Sequence, residues 1–241
     1  MSQKHLIVTV QRGSGGTMTE QIFPVPRFEN QTVLDVVSHI QQYQDSTLTY
    51  RFACRVGMCG SCAMTINGRP RWACRTHVDK VVEDFKLHIG PLKNLPIIKD
   101  LAVSMEPFFD KWIKGGGKHQ PTRTRLDKIQ PVDVQSKPRQ AANLGIECIN
   151  CSICYAACDT VSNNPDYLGP AALQRAWTLY NDEKNKNQDS ILEAVSGAGG
   201  CHNCHSIGNC TAFCPNGLDP LSAIAGLKRE TFKSALKAKK R

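Results

Sequence analysis

No apolar run in this chain of 241 residues approaches the roughly 18 needed to cross a bilayer. The first ten residues carry too short an apolar stretch for a signal peptide, and twin arginines are absent. The expectation is a protein kept in the cytoplasm or a matrix-like compartment. Paired carboxylates, a nucleophile triad and a phosphate loop are also missing, so no catalytic residue is expected on the chain itself. Cysteine, by contrast, is abundant at twelve residues. Disulfides are disfavoured in a reducing compartment, so metal ligation or redox chemistry explains them better than a stapled secreted fold.

The first half reads as strand, strand, helix, loop and strand. Leu6, Val8 and Val10 alternate with Ile7, Thr9 and Gln11 at the strand period. An extended stretch over residues 22–25 follows the turn Gly13-Ser14-Gly15-Gly16. Thr32 and Asp35 form a capping-box pattern ahead of a helical face of Val33, Val36, Val37, Ile40 and Tyr43. Residues 63–66 and 71–74 flank Asn67-Gly68, a hairpin signal. That order suits a β-grasp domain.

Between helix and hairpin lie Cys54, Cys59 and Cys62, with Cys74 eleven residues beyond. The spacing C-x4-C-x2-C plus a distant cysteine is that of plant-type 2Fe–2S ferredoxins. Four soft thiolates must converge on two irons, so one tight loop supplies three and a neighbouring strand the fourth. Gly57 and Gly60 let the backbone approach the cluster and turn N–H groups toward its sulfides, and Ser61 offers a further hydrogen bond. Zinc is the competing reading, but zinc sites usually pair two short knuckles and this stretch has one.

From residue 114 to 138 the composition turns to Gly, Lys, Thr, Gln and Pro, a connector with the domain break slightly before it. The expected domains are residues 1–105, a β-grasp 2Fe–2S unit, and residues 106–241, a helical unit carrying two more clusters. The fold class is therefore α+β: a ferredoxin-like β-grasp domain followed by an all-α, bacterial-ferredoxin-like domain.

In that second part Cys148, Cys151, Cys154 and Cys158 form a C-x2-C-x2-C-x3-C run. Cys204, Cys210 and Cys214 repeat it, with Ile207 where the second cysteine belongs. In two-cluster bacterial ferredoxins the fourth cysteine of each run serves the other cluster. Crossing assigns Cys148, Cys151, Cys154 and Cys214 to a 4Fe–4S cluster. It leaves Cys158, Cys204 and Cys210 for a site one thiolate short, suited to 3Fe–4S because Ile207 cannot ligate. Cys201 is left over: a free or neighbouring thiol, or a replacement ligand completing a second 4Fe–4S cluster. With His205 it spells a haem c attachment motif, a reading that would take Cys204 from its cluster.

The formal charge of +9 suggests nucleic acid at first sight. Each oxidised cluster with its thiolates carries about −2, so three bring the loaded protein to about +3 and weaken that argument. Residues 228–241 hold seven basic residues and one acid, either a solvated end or a contact for anionic headgroups or an acidic subunit face.

With these residues in hand, the chain closely resembles the iron–sulfur subunits of succinate dehydrogenase and fumarate reductase, the respiratory complex II family. The likeness runs through both cysteine runs and the 2Fe–2S loop, through Pro96-Ile97-Ile98-Lys99-Asp100-Leu101, and through Asn164-Pro165-Asp166-Tyr167-Leu168-Gly169-Pro170-Ala171. The resemblance implies an electron-transfer subunit of a succinate:quinone oxidoreductase. Its partners would be a flavoprotein subunit with covalent FAD and membrane-anchor subunits carrying quinone, with haem b an open alternative; nucleic acid is not expected. It implies a peripheral position on the cytoplasmic face of the inner membrane, and places His205 and Ile207 beside the 3Fe–4S cluster and quinone region. A hydrogen-bonded structural histidine is the alternative for His205.

Many members carry Pro after the cysteine matching Cys158 and Trp shortly beyond; here Asp159-Thr160-Val161-Ser162-Asn163 stands instead, favouring a menaquinone-type or rearranged pocket. Trp177 is no substitute, since with Leu173 and Tyr180 it has the spacing of a core helix face. Two other readings stand beside the main one: a subunit of a related dehydrogenase or thiol-linked fumarate reductase, and a zinc-stabilised nucleic-acid-binding module.

Overall fold

The computed structural model describes residues 5–238. Residues 1–4 of the N-terminal stretch and residues 239–241 of the basic tail lie outside the described residues. The chain divides into two compact units, Met1–Met105 with Ile149–Ala157, and Glu106–Cys148 with Cys158–Arg241.

The first unit is built on a five-stranded sheet of β1 (His5–Ser14), β2 (Thr17–Pro26), β3 (Ala63–Ile66), β4 (Arg69–Trp72) and β5 (Lys86–Gly90), in the order β2-β1-β5-β3-β4. β1 runs parallel to β5, and the other neighbours are antiparallel. The alternation at the N-terminus is realised: Leu6, Val8 and Val10 are fully buried. They share the core with Leu87 and Ile89 of β5, Met64 and Ile66 of β3, and helix α1 (Val33–Tyr43), whose Val33, Val36, Val37 and Ile40 are buried.

The capping box forms as the sequence implies. Thr32 Oγ1 accepts from Asp35 N at 3.2 Å, and Asp35 Oδ2 accepts from Thr32 N at 2.9 Å. The start of α1 is tied to the chain beyond Cys74, because Val33 N donates to Thr76 O and Val78 N to Gln31 O, both at 2.9 Å.

The hairpin differs from expectation in register. Asn67 and Gly68 both have positive φ, so a two-residue turn pairs Ile66 directly with Arg69. β4 therefore starts at Arg69 and ends at Trp72, and Cys74 lies not on a strand but in the 3-10 turn Ala73–Arg75. Ala73 N donates to Cys62 O at 3.1 Å, which holds that turn against the cysteine loop. A small ribbon of β6 (Ile97–Lys99) and β7 (Ala102–Val103) completes the strands. Between them Asp100 is buried and accepts from Arg12 Nε, Gly13 N and Thr49 N at 2.9–3.0 Å. Arg12 also meets Asp45 at 2.7 Å.

The described part of the second unit is helical: α2 (Glu106–Lys114), α3 (Lys137–Ile146), α5 (Asp159–Asn163), α6 (Pro170–Asn181), α7 (Gln188–Ser196), α8 (Asn209–Ala212) and α9 (Pro220–Ala238). The short α4 (Ile153–Ala156) falls in the first unit. α6 is the central helix, packing on α2, α3, α7 and α9. Trp177 and Leu173 are buried on it, as the helical spacing suggested, and Trp177 stacks on Tyr180 at 5.9 Å. A side chain at Gly226 would collide with the Trp177 ring, so glycine is what lets α9 lie this close to α6. The connector after α2 is pinned rather than loose: Thr122 N donates to Lys184 O at 3.0 Å, and Lys186 N to Gln120 O at 2.7 Å.

Candidate iron–sulfur sites

All twelve cysteines lie within the described residues and none is in a disulfide. The loop after α1 brings Cys54, Cys59 and Cys62 together with Cys74: Cys54 meets Cys59, Cys62 meets Cys74, and Cys59 is near enough to Cys62 to act on it electrostatically. Its backbone is turned by left-handed residues: Arg55, Gly57 and Gly60 have φ of +59°, +76° and +70°. The result is a set of N–H groups aimed at sulfur. Cys54 Sγ accepts from Val56 N at 3.5 Å, Met58 N at 3.2 Å and Cys59 N at 3.3 Å. Ser61 Oγ lies 3.0 Å from Cys59 Sγ.

These surroundings split the thiols. The Ser61 hydroxyl and contacts with Cys54 bring Cys59 down to about 6, whereas burial, then the neighbouring Cys74 and Cys59, push Cys62 up to about 12. Four clustered soft donors with amide and hydroxyl groups turned to them suit a 2Fe–2S group, whose sulfides and thiolates are hydrogen-bond acceptors.

The first run of the second half is divided. Cys151 and Cys154 belong to the first unit. Ser152, with φ of +61° at the start of α4, is buried; its hydroxyl donates to Cys151 O at 2.7 Å and to Met105 Sδ at 3.6 Å. Asn94 Nδ2 donates to Tyr155 O at 3.0 Å. Cys148 and Cys214 belong to the second unit, where Asn216 Nδ2 reaches Glu147 O at 2.8 Å and ties the stretch after Cys214 to the stretch before Cys148. That is the pairing a crossed ligand set needs.

Cys158, Cys204 and Cys210 converge in the second unit around a recess also lined by Tyr167, His205 and Ile207. Burial, then the Cys158 and Cys204 sulfurs, push the Cys210 thiol up to about 11, the mark of three sulfurs facing one another. Ser206 N donates to Cys204 Sγ at 3.4 Å, and Lys228 Nζ to Cys204 O at 2.6 Å. His205 and Ile207 are exposed at this recess. Cys201 is not among its lining residues. Its side chain is fully buried, its thiol is pushed up by that burial, and its sulfur lies 3.8 Å from Thr231 Oγ1.

Tyr167 is the residue the spacing argument missed. It is fully buried and hydrogen-bonds the Cys204 side chain, and burial followed by the Cys204 and Cys158 sulfurs raises its hydroxyl well above the usual phenol range. The only sequence signal was its place in Asn164-Pro165-Asp166-Tyr167, which the cysteine pattern does not explain. Among the described residues no group of three or more His, Cys, Asp or Glu closes on a single ion. An iron–sulfur core instead spreads its thiols around several iron and sulfide atoms.

A family model described as a 2Fe-2S iron-sulfur cluster binding domain matches residues 7–110, and one described as a 4Fe-4S dicluster domain matches residues 147–219. The fumarate reductase iron-sulfur subunit of Mycobacterium tuberculosis is 32% identical over 91% of this chain and 88% of its own length. That of Haemophilus influenzae is 33% identical over 88% of this chain and 86% of its own, and that of Escherichia coli O6:H1 is 31% identical over 89% and 86%. Among solved structures, a chain of the Mycobacterium smegmatis Sdh1 complex in the apo form shares the fold with a TM-score of 0.85 at 22% identity. The alignment covers 97% of this chain and 98% of that one. With the cysteine order, the two cluster-domain matches and relatives aligned over nearly their whole length all in agreement, the chain belongs to the family of succinate dehydrogenase and fumarate reductase iron–sulfur subunits.

Proposed function

We propose that this chain carries electrons between an FAD-containing succinate/fumarate subunit and a membrane quinone, through 2Fe–2S, 4Fe–4S and 3Fe–4S clusters. The observation that carries the reading is the gathering of thiols in two separate places. Cys54, Cys59, Cys62 and Cys74 meet in the first unit, and Cys158, Cys204 and Cys210 in the second, with Ile207 where a fourth ligand belongs. Cys148, Cys151, Cys154 and Cys214 are the set proposed for 4Fe–4S. The clusters, when bound, supply reversible one-electron chemistry. The protein's own residues hold them, exclude water and set their potentials through hydrogen bonds and burial. Gly57, Gly60 and Ser61 act at the first site; Tyr167, His205 and Ile207 act at the third.

The two compact units support a division into residues 1–105 and 106–241, with residues 149–157 serving the first. The parallel β1–β5 pair flanked by hairpin strands supports a β-grasp fold for the first domain, followed by an all-α, bacterial-ferredoxin-like second one. No helix among the described residues is long and apolar enough to cross a membrane. A peripheral place on the cytoplasmic face, held by an anchor subunit, fits that observation. The exposed Phe232 and Leu236 beside Arg229, Lys233 and Lys237 on α9 also favour it. Asp159 to Asn163 form the short α5 where many members place Pro and Trp, which is in keeping with a menaquinone-type or rearranged pocket. The zinc and thiol-linked readings are not favoured by the relatives.

The test is low-temperature EPR of the purified complex during a redox titration. Three reducible clusters are expected, one giving a near-isotropic signal when oxidised. Absence of that signal would remove the 3Fe–4S assignment and favour Cys201 as a ligand. Failure of succinate to reduce any cluster in the intact complex would refute succinate oxidation.

A further inference from the structure

Within the first unit, the loop that carries Cys59 and Cys62 rests directly on the segment that carries Cys151. The contact is at Gly60. A Cβ placed there would stand 2.5 Å from Cys151 Cβ and 2.9 Å from Cys151 Cα, closer than real Cβ atoms come to other atoms. The obstacle is backbone as well as side chain, so it cannot swing away. Two other left-handed glycines nearby lack this feature. The three atoms nearest to a Cβ on Gly57 all belong to the side chains of Arg75 and Trp72, and one on Gly68 would meet nothing within 4 Å.

The Cys151 segment is also fixed from behind. Asn150 and Ser152, on either side of Cys151, both hold left-handed φ, and the buried Ser152 hydroxyl and Asn94 pin the stretch to the rest of the unit. On the other side Gly60 is tied to the start of β3, where Ala63 N donates to Gly60 O at 3.1 Å, so atoms added at Gly60 push the two ligand-bearing segments apart.

We propose that Gly60 is a positioning residue that sets the separation between the Cys59–Cys62 loop and the Cys151 segment, and with it the electronic contact between the groups they hold. This rests on the electron-transfer reading above. Each electron given up by one group is the electron taken up by the other, with no bond made or broken. Both the transfer rate and the magnetic coupling between two such groups fall steeply with distance. Gly60 thus does more than open the loop to its own cluster: its missing side chain is what brings the next ligand segment within contact.

The test compares Gly60→Ala with Gly68→Ala in the cluster-loaded complex. Gly68 has φ of +76° against +70° at Gly60, so both variants carry the same backbone strain, and only Gly60→Ala adds the clash. The readout is the EPR relaxation enhancement of the reduced 2Fe–2S signal by the reduced 4Fe–4S group. The expected result is loss of enhancement in Gly60→Ala with both groups present, or loss of 4Fe–4S with 2Fe–2S retained; Gly68→Ala behaves as the parent.

Unchanged enhancement in Gly60→Ala, or loss of 2Fe–2S alone, overturns the proposal. Should Gly60→Ala give no folded protein, a folded Gly68→Ala supports the contact as the cause, and failure of both variants overturns it. If the parent complex shows neither signal, the electron-transfer reading itself has failed, which is a separate outcome.

Discussion

Replacing Tyr167 with phenylalanine removes one oxygen from a fully buried ring and leaves the packing volume nearly unchanged. What is lost is the hydrogen bond to the Cys204 side chain. A bond of that kind stabilises negative charge on sulfur, and the reduced cluster carries one more negative charge than the oxidised. The bond therefore favours reduction, and Tyr167→Phe is expected to lower the midpoint potential of the cluster proposed at Cys158, Cys204 and Cys210. A hydrogen bond to a charged group contributes about 1.5–3 kcal/mol in total. A one-electron couple moves about 59 mV for each tenfold change, or about 1.4 kcal/mol, so the whole bond corresponds to about 60–130 mV. Only the part that differs between redox states appears in the potential, giving an expected drop of a few tens of mV. The assay is an EPR-monitored redox titration of the near-isotropic signal in parent and variant complexes. An unchanged or raised midpoint, with the signal shape intact, would refute the role given to Tyr167.

Other consequences are as direct. Ile207→Cys supplies the thiol missing from the second run, so the near-isotropic oxidised signal should vanish and a reduced 4Fe–4S signal appear; persistence of the former would show that position 207 cannot reach the cluster. In the cluster-free chain Cys59 is held down to about 6, so its thiolate persists above that pH and disappears below it. Ser61→Ala removes the largest cause of the shift. The midpoint of Cys59 alkylation against pH should rise, and an unmoved midpoint would assign the shift elsewhere. Asp100→Ala strips three donors of their buried acceptor and should destabilise the first unit by about 3–5 kcal/mol, read from denaturant bleaching of the 2Fe–2S absorbance. A change under about 1 kcal/mol would mean water or Asp45 replaces it.

Much of the first unit was legible because its signals are local. The period-two burial of Leu6, Val8 and Val10, the Thr32–Asp35 box and the Asn67-Gly68 turn are each set by residues within a few positions of one another. The extent of β4 was not, because a two-residue turn fixes the register from its first pair, and the strand then ends where Ala73 bonds back to Cys62. Cysteine spacing points to which kind of cluster each half of the chain carries, and the two cluster-domain matches agree with it at that level. It carries no information about Tyr167, whose approach to Cys204 depends on a fold-wide return of the chain. Nor does it reveal that Gly60 faces Cys151, a contact across ninety-one positions.

The membership of Ile149–Ala157 in the first unit has a consequence for how the protein is made. When residue 105 leaves the ribosome, the sheet and α1 are complete, but the piece that packs on Gly60 has not been synthesised. The connector and α3 must emerge first, so the first unit waits, with one face unfinished, while the beginning of the second is already available to fold. Folding of the two units during translation is therefore interleaved rather than sequential. A gene fragment ending at residue 105 would encode a protein lacking part of its own interior, whatever iron and sulfide it were offered.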